Sequence, residues 1–405
     1  FKRLPITPAM VLEALAERER RKLDRKPHAR PFNAEVATVR ALYPKLVFPM
    51  LRRLNAKVRR DPPKASTPEI LQPSSLDELL VELAAPKRTA KIQAGGTDLT
   101  VGLRQGIYRT DIILEVSKID ALRGIRIVGD VLHIGAGDVL ADVADSDVVR
   151  RVAPMLVEGI ELIATPQIRN VATVAGDLSQ EKRCWFFRSA LPCYKNAGPT
   201  APCFAVLGDN RHHSIMGARR CAAPCPADLA PMLTALGGTV VVASLSGERR
   251  ISMEDFYVWS GRTSVAPHEV ILRIEVAICP GSTQAFEKFA LRQGDFAEAS
   301  AAVALNWQRG MLVGARVALG GVAPLPVRAR EAERHLLEHW QSKDGIRSAA
   351  LKSVFGSLPL SRNAHKVELT VNLVERAMTT ALDRATARNA VRDTASQRPG
   401  SIDGA

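Results

Sequence analysis

Five of the six cysteines of this 405-residue chain, Cys184, Cys193, Cys203, Cys221 and Cys225, fall between Thr165 and Gly238, and only Cys279 lies elsewhere. Covalent stapling is a poor reason for that clustering. The chain is long enough to bury a core without disulfides, and its first residues do not resemble an export signal. In a reducing compartment such a cluster points instead to metal or redox chemistry. Zinc favours paired short spacings, whereas most gaps here are long and irregular; a loop wrapping an iron–sulfur cluster through four thiolates fits at least as well. Spacing alone leaves zinc and iron–sulfur open. The same stretch holds Trp185, Phe186, Phe187, Tyr194 and Phe204 in a chain that is 5% aromatic, and these read as a small core that would also shield a cluster from water. His212 and His213, next to the polar run Asp209-Asn210-Arg211, read as solvent-exposed.

The flanks carry more information. Before the cysteines stands Gln167-Ile168-Arg169-Asn170-Val171-Ala172-Thr173-Val174-Ala175-Gly176-Asp177, and after them Pro226-Ala227-Asp228-Leu229-Ala230-Pro231-Met232-Leu233-Thr234-Ala235-Leu236-Gly237. Upstream, the strand Lys91-Ile92-Gln93 runs into Ala94-Gly95-Gly96-Thr97-Asp98-Leu99, where adjacent glycines let backbone amides approach an anion. Alone that loop is an ordinary turn, and it matches neither the dinucleotide fingerprint nor the Walker pattern. Together these segments resemble the flavin-binding signature of the medium, FAD-carrying subunits of the xanthine dehydrogenase (molybdenum hydroxylase) family. The insert of roughly forty residues between the halves resembles that of the 4-hydroxybenzoyl-CoA reductase beta subunit type, which carries a four-iron four-sulfur (4Fe-4S) cluster.

The resemblance implies an α+β fold: a two-part FAD-binding domain of the vanillyl-alcohol-oxidase/PCMH type with a small α+β C-terminal domain. It implies that Gln93, Ala94, Gly95, Gly96, Thr97, Asp98, Leu99 and Thr100 hold the FAD phosphates and ribityl region, with Thr173, Val174, Ala175, Gly176 and Asp177 as a second wall. Asp228 would accept from FAD hydroxyls, Ile271 would lie against the flavin, and Lys288 would place a cation beside its pyrimidine. Read without the resemblance, Asp228 is a helix N-cap and Lys288 a solvated strand lysine. Carried over position by position, the cluster ligands are Cys184, Cys193, Cys203 and Cys221; whether Cys225 replaces Cys221 stays open. No residue is assigned a catalytic role.

Domain expectations follow: a basic helical extension over residues 1–65, an FAD-binding domain over 66–282 with the insert at about 178–225, a C-terminal domain related to CO dehydrogenase flavoproteins over 283–390, and a flexible tail over 391–405. Ser75 with Glu78 reads as a capping box before a helix with Leu76, Leu79, Leu80 and Leu83 on one face. Strands are expected at 111–116, 131–136, 239–244 and 269–274, and helices over 138–164, at 330–340 and at about 373–390. Residues 1–65 carry 17 Lys and Arg against 6 Asp and Glu, so most of the net charge of +14 sits there and does not make the body a nucleic-acid binder. No apolar run approaches the roughly 18 residues of a membrane span.

The functional expectation is therefore an FAD and iron–sulfur electron-transfer subunit of a cytoplasmic complex. By family likeness a large molybdopterin-binding subunit and a small 2Fe-2S subunit are its partners, and a ferredoxin-like carrier its outlet. Two other readings stand beside it: a stand-alone flavin oxidoreductase with a structural zinc in the insert, and a basic binding module without flavin.

Overall fold

The computed structural model describes residues 67–85, 88–198 and 200–396, with side chains up to residue 388. The basic extension expected over residues 1–65 lies outside the described residues; of the flexible tail expected over 391–405, residues 391–396 instead continue the last helix and the rest lies outside the described residues. Among the described residues no helix is long and apolar enough to cross a membrane.

The chain begins with a small parallel sheet of order β1-β3-β2, formed by β1 (Glu69–Leu71), β2 (Ala90–Gln93) and β3 (Ile112–Glu115). The helix Leu76–Ala84 covers it. Ser75 Oγ accepts from the N–H of Glu78, while Glu78 reaches back to Ser74 rather than to the cap residue itself. Leu79 and Leu80 are buried with Ile112 and Leu114, the face that the leucine spacing predicts.

A five-stranded antiparallel sheet follows, of order β4-β5-β10-β6-β7, built from β4 (Ile125–Val128), β5 (Val131–Gly135), β6 (Thr239–Ser244), β7 (Gly247–Ser252) and β10 (Val270–Ala277). Its central strand β10 joins sequence on both sides of the insert: Arg273 pairs with Gly135 and Val241, and the register shifts between Ile271 and Arg273. Helices pack on one face. The helical stretch expected over residues 138–164 is three helices, Leu140–Asp145, Asp147–Val152 and Pro154–Glu161, because Ser146 restarts the second as its N-cap and Pro154 opens the third. Their buried faces meet the helix Leu229–Leu236 in the largest core cluster.

The last unit is a sheet of order β11-β12-β13-β14, from β11 (Thr283–Phe289), β12 (Ala299–Gln308), β13 (Met311–Gly320) and β14 (Val327–Arg328). Alanine-rich inner faces on β12 and β13 leave room for close helix packing, and the helices Arg330–His339, Lys343–Lys352 and His365–Ser396 share their core. The final helix begins eight residues before the expected start and runs past residue 390. The pair β8 (Tyr257–Trp259) and β9 (Arg262–Thr263) forms a two-stranded ribbon beside the insert.

A split cradle and a thiol-lined hollow

The two predicted flavin walls meet. Gly95 lies so close to the backbone of Val171 that a Cβ built on it would overlap the Val171 carbonyl, and Gly96 sits at φ +68°, where only glycine is unstrained. Among the described residues the N–H groups of Gly95, Gly96, Thr97 and Asp98 have no protein acceptor. A run of such donors opening the helix Leu99–Arg104 suits an anionic pyrophosphate. The second wall differs: the N–H groups of Val174, Ala175, Gly176 and Asp177 are all committed, to Asp138 O, Ala136 O, Thr173 Oγ1 and Thr173 O. It offers packed surface rather than free donors. Thr100 Oγ1 donates to Gln93 Oε1 across the loop at 3.3 Å. Cradle donors and close glycine contacts thus fit a dinucleotide flavin.

Asp98 ties the loop to the insert. Its carboxylate accepts from Tyr108 Oη (2.8 Å), the N–H of Glu181 (3.0 Å) and Arg188 (3.1 Å), and pairs with Arg183 at 2.9 Å. Burial alone would raise this carboxyl; the Arg183 charge and these donors hold it below its ordinary value. Arg183 immediately precedes Cys184 in the chain.

Beneath the cradle lies a buried charge group. Lys288 Nζ is 2.6 Å from Asp228 Oδ2 and donates to Leu162 O, with both side chains nearly inaccessible. Lys288 is therefore not a solvated strand lysine. Asp228 holds the N-cap position of Leu229–Leu236 but makes no cap bond; Asp177, from the other side of the insert, accepts the N–H of Leu229 at 3.0 Å instead. Ile271 is buried on β10 at the register shift.

Burial, and then the Asp228 charge, push Asp177 up to about 7. A carboxyl whose folded value is raised contributes stability that is fully present below its unfolded value near 4 and lost as pH rises through about 7. Asp177→Asn, which mimics the protonated group, should flatten the fall in melting temperature of the flavin-free chain between pH 5 and pH 8. Parallel wild-type and variant curves over that range would remove Asp177 as the titrating group.

Cys184, Cys193, Cys203 and Cys221 line one hollow, walled also by Lys182, Phe186, Phe187, Tyr194, Lys195 and Phe204. Cys225 does not line it: it is buried in the main core beside Tyr257 and Lys182. All six cysteines are free thiols. Burial pushes Cys184 up to about 12 and Cys203 up to about 11, so neither is a nucleophile at neutral pH; a metal would hold them as thiolates. A single tetrahedral zinc at Zn–S about 2.3 Å sets sulfurs roughly 3.8 Å apart. Among the described residues, the group of three donors lying within 4.8 Å of one another is His335, Glu338 and His339, on the C-terminal domain; the cysteines form none. The four sulfurs face one space.

Two further features were not readable from sequence. Lys182 is 2% exposed, donates to Pro324 O at 2.7 Å, and has no carboxylate in ion-pair range among the described residues. Burial pushes its ammonium below its ordinary value, and an unpaired buried cation is costly. His213, expected in solvent, is 3% exposed, and its Nε2 lies 3.2 Å from Cys184 Sγ. Its neighbour His212 is half exposed and pairs with Glu298. Of the aromatics, Phe186 and Phe187 are buried while Trp185 is 45% exposed.

Residues 64–277 match the family model described as the FAD binding domain in molybdopterin dehydrogenase, and residues 284–381 match the CO dehydrogenase flavoprotein C-terminal domain. The chain is similar to the 6-hydroxypseudooxynicotine dehydrogenase complex subunit alpha of Paenarthrobacter nicotinovorans, 28% identical over 77% of this chain and 93% of that protein. It is also similar to the aldehyde oxidoreductase FAD-binding subunit PaoB of Escherichia coli, 31% identical over 69% of this chain and 87% of that protein. Among solved structures, a chain of the carbon monoxide dehydrogenase from Hydrogenophaga pseudoflava that lacks the Mo-pyranopterin moiety superposes with a TM-score of 0.65 at 26% identity, covering 79% of this chain and 99% of that one.

Proposed function

This chain belongs to the family defined by the FAD binding domain in molybdopterin dehydrogenase, and from that premise we propose that it passes electrons within a molybdenum hydroxylase or reductase complex through FAD and a 4Fe-4S cluster. It is an oxidoreductase subunit, and the substrate chemistry belongs to a partner. The fold we assign is the two-part FAD-binding domain of the vanillyl-alcohol-oxidase/PCMH type, and the insert is of the 4-hydroxybenzoyl-CoA reductase kind. The observation that carries the cluster is the convergence of Cys184, Cys193, Cys203 and Cys221 on one hollow, with Cys225 outside it.

Each part of the chain then has a definite task. Gly95 to Asp98 present backbone donors to the FAD pyrophosphate, and the wall from Thr173 to Asp177 shapes the opposite side. Lys288, fixed by Asp228, holds a positive charge beneath the cradle. The Asp98–Arg183 ion pair ties the flavin loop to the residue next to the first cluster ligand, Cys184. Bound FAD would supply two-electron chemistry divisible into single steps, and the cluster a one-electron site. The zinc alternative is disfavoured by the separation of the sulfurs.

Partners are inferred from the relatives: a large molybdopterin-binding subunit and a small 2Fe-2S subunit, with a ferredoxin-like carrier at the insert and no nucleic acid. Affinity purification of the tagged chain from its own cells, in a reducing cytoplasm, should recover both subunits with FAD. Recovery of flavin-bearing chain alone would contradict the complex.

A further inference from the structure

We propose that His213 is a positioning residue for the cluster, donating its Nε2–H to the Cys184 thiolate and thereby raising the cluster's reduction potential. The inference rests on the cluster reading above and adds a specific role to a residue outside the ligand set. Nε2 stands 3.2 Å from Cys184 Sγ, and the ring packs near Phe186 at 6.1 Å between centroids. A ligating thiolate has no proton to give, so the imidazole carries its proton on Nε2, and Nδ1 is left with no partner. Packing alone does not explain this arrangement. A leucine would fill the same apolar space without leaving a buried ring nitrogen unsatisfied.

The residue is also held with unusual care. Its N–H donates to Asn210 O, and its carbonyl accepts from Asn363 Nδ2 at 2.8 Å and Lys366 Nζ at 3.2 Å, two side chains with no exposed surface. Asn363 also donates to Ser214 O, and Asn210 is itself anchored to Ala205 O and Arg362 N. The C-terminal domain thus clamps the insert where the ring meets the sulfur. Cys193 and Cys203 receive backbone N–H groups only, so among the described residues Cys184 is the one prospective ligand with a side-chain donor. A donor on a ligand sulfur withdraws charge from it and favours the reduced cluster.

The test is an EPR-monitored redox titration of the purified complex, comparing wild type with His213→Leu and His213→Gln, alongside iron and labile-sulfide analysis. His213→Leu should keep its iron and sulfide but show at least a tenfold smaller reduced-to-oxidised ratio at a given ambient potential, about 59 mV lower for one electron. His213→Gln, which keeps an N–H donor, should recover part of that loss. An unchanged potential in a fully loaded Leu variant overturns the role of His213 and leaves the cluster standing; wild type without iron and sulfide overturns both. Should the Leu variant fail to load, hyperfine spectroscopy on reduced wild type labelled with 15N-histidine decides. A weak coupling from a non-ligating nitrogen supports the N–H···S bond, and its absence refutes it.

Discussion

Cys203→Ser should yield a chain that keeps its FAD while losing nearly all of its iron–sulfur absorbance and labile sulfide. Cys203 lines the hollow with Cys184, Cys193 and Cys221, and serine removes the thiolate that such a centre requires. The flavin contacts lie elsewhere, on the loop from Gly95 to Asp98 and its wall, and reach the insert through Asp98. The insert should lose stability as well, because its own apolar cluster is small: Phe186, Leu191, Ala205 and Ala222 with Leu360 from the C-terminal domain. Cys225→Ser, buried outside the hollow, should leave iron and sulfide unchanged. A full cluster in Cys203→Ser would remove that residue from the ligand set, and loss in Cys225→Ser would exchange it for Cys221.

Gly95→Ala should have the opposite signature: cluster retained, flavin lost. The added methyl overlaps a backbone carbonyl, which cannot swing aside as the end of a side chain can, so the loop or its wall must move. Overpacking costs of about 1–3 kcal/mol translate into a weakening of FAD binding on the order of 10- to 100-fold. Gly314→Ala, whose added methyl meets only ordinary contacts in the C-terminal domain, is the control. Flavin titration of the purified variants measures both, with melting temperatures to exclude unfolding. Undiminished FAD affinity in Gly95→Ala would mean that the close approach to Val171 plays no part in the cradle.

Much of the scaffold was legible because its signals are local. Runs of β-branched residues bounded by glycine place β5 and β6 almost residue for residue, and the leucine spacing after Ser75 places the first helix. The glycine pair of the flavin loop and the four cysteines were legible only through the family resemblance, since a paired glycine or irregularly spaced thiols have several uses. What escaped is set by partners far away in sequence. Two adjacent histidines in a polar loop look solvated, and His213 is buried because Asn363 and Lys366, about 150 residues on, hold its carbonyl. Asp228 looks like the cap of its own helix, yet Asp177 takes that N–H across the whole insert, freeing Asp228 for Lys288. Lys182 carries no pattern that marks a buried cation; its place depends on Pro324 O and on the hollow it adjoins.

The central claim is that a flavin cradle has been opened to admit a thiolate-bound iron–sulfur centre. Quantifying iron, acid-labile sulfide, zinc and FAD on the anaerobically purified full-length chain tests it most directly. The account predicts iron and sulfide in equal amounts, about four of each per FAD as the 4Fe-4S formula requires, with zinc absent. One zinc per chain without sulfide, or flavin with neither metal, would contradict it.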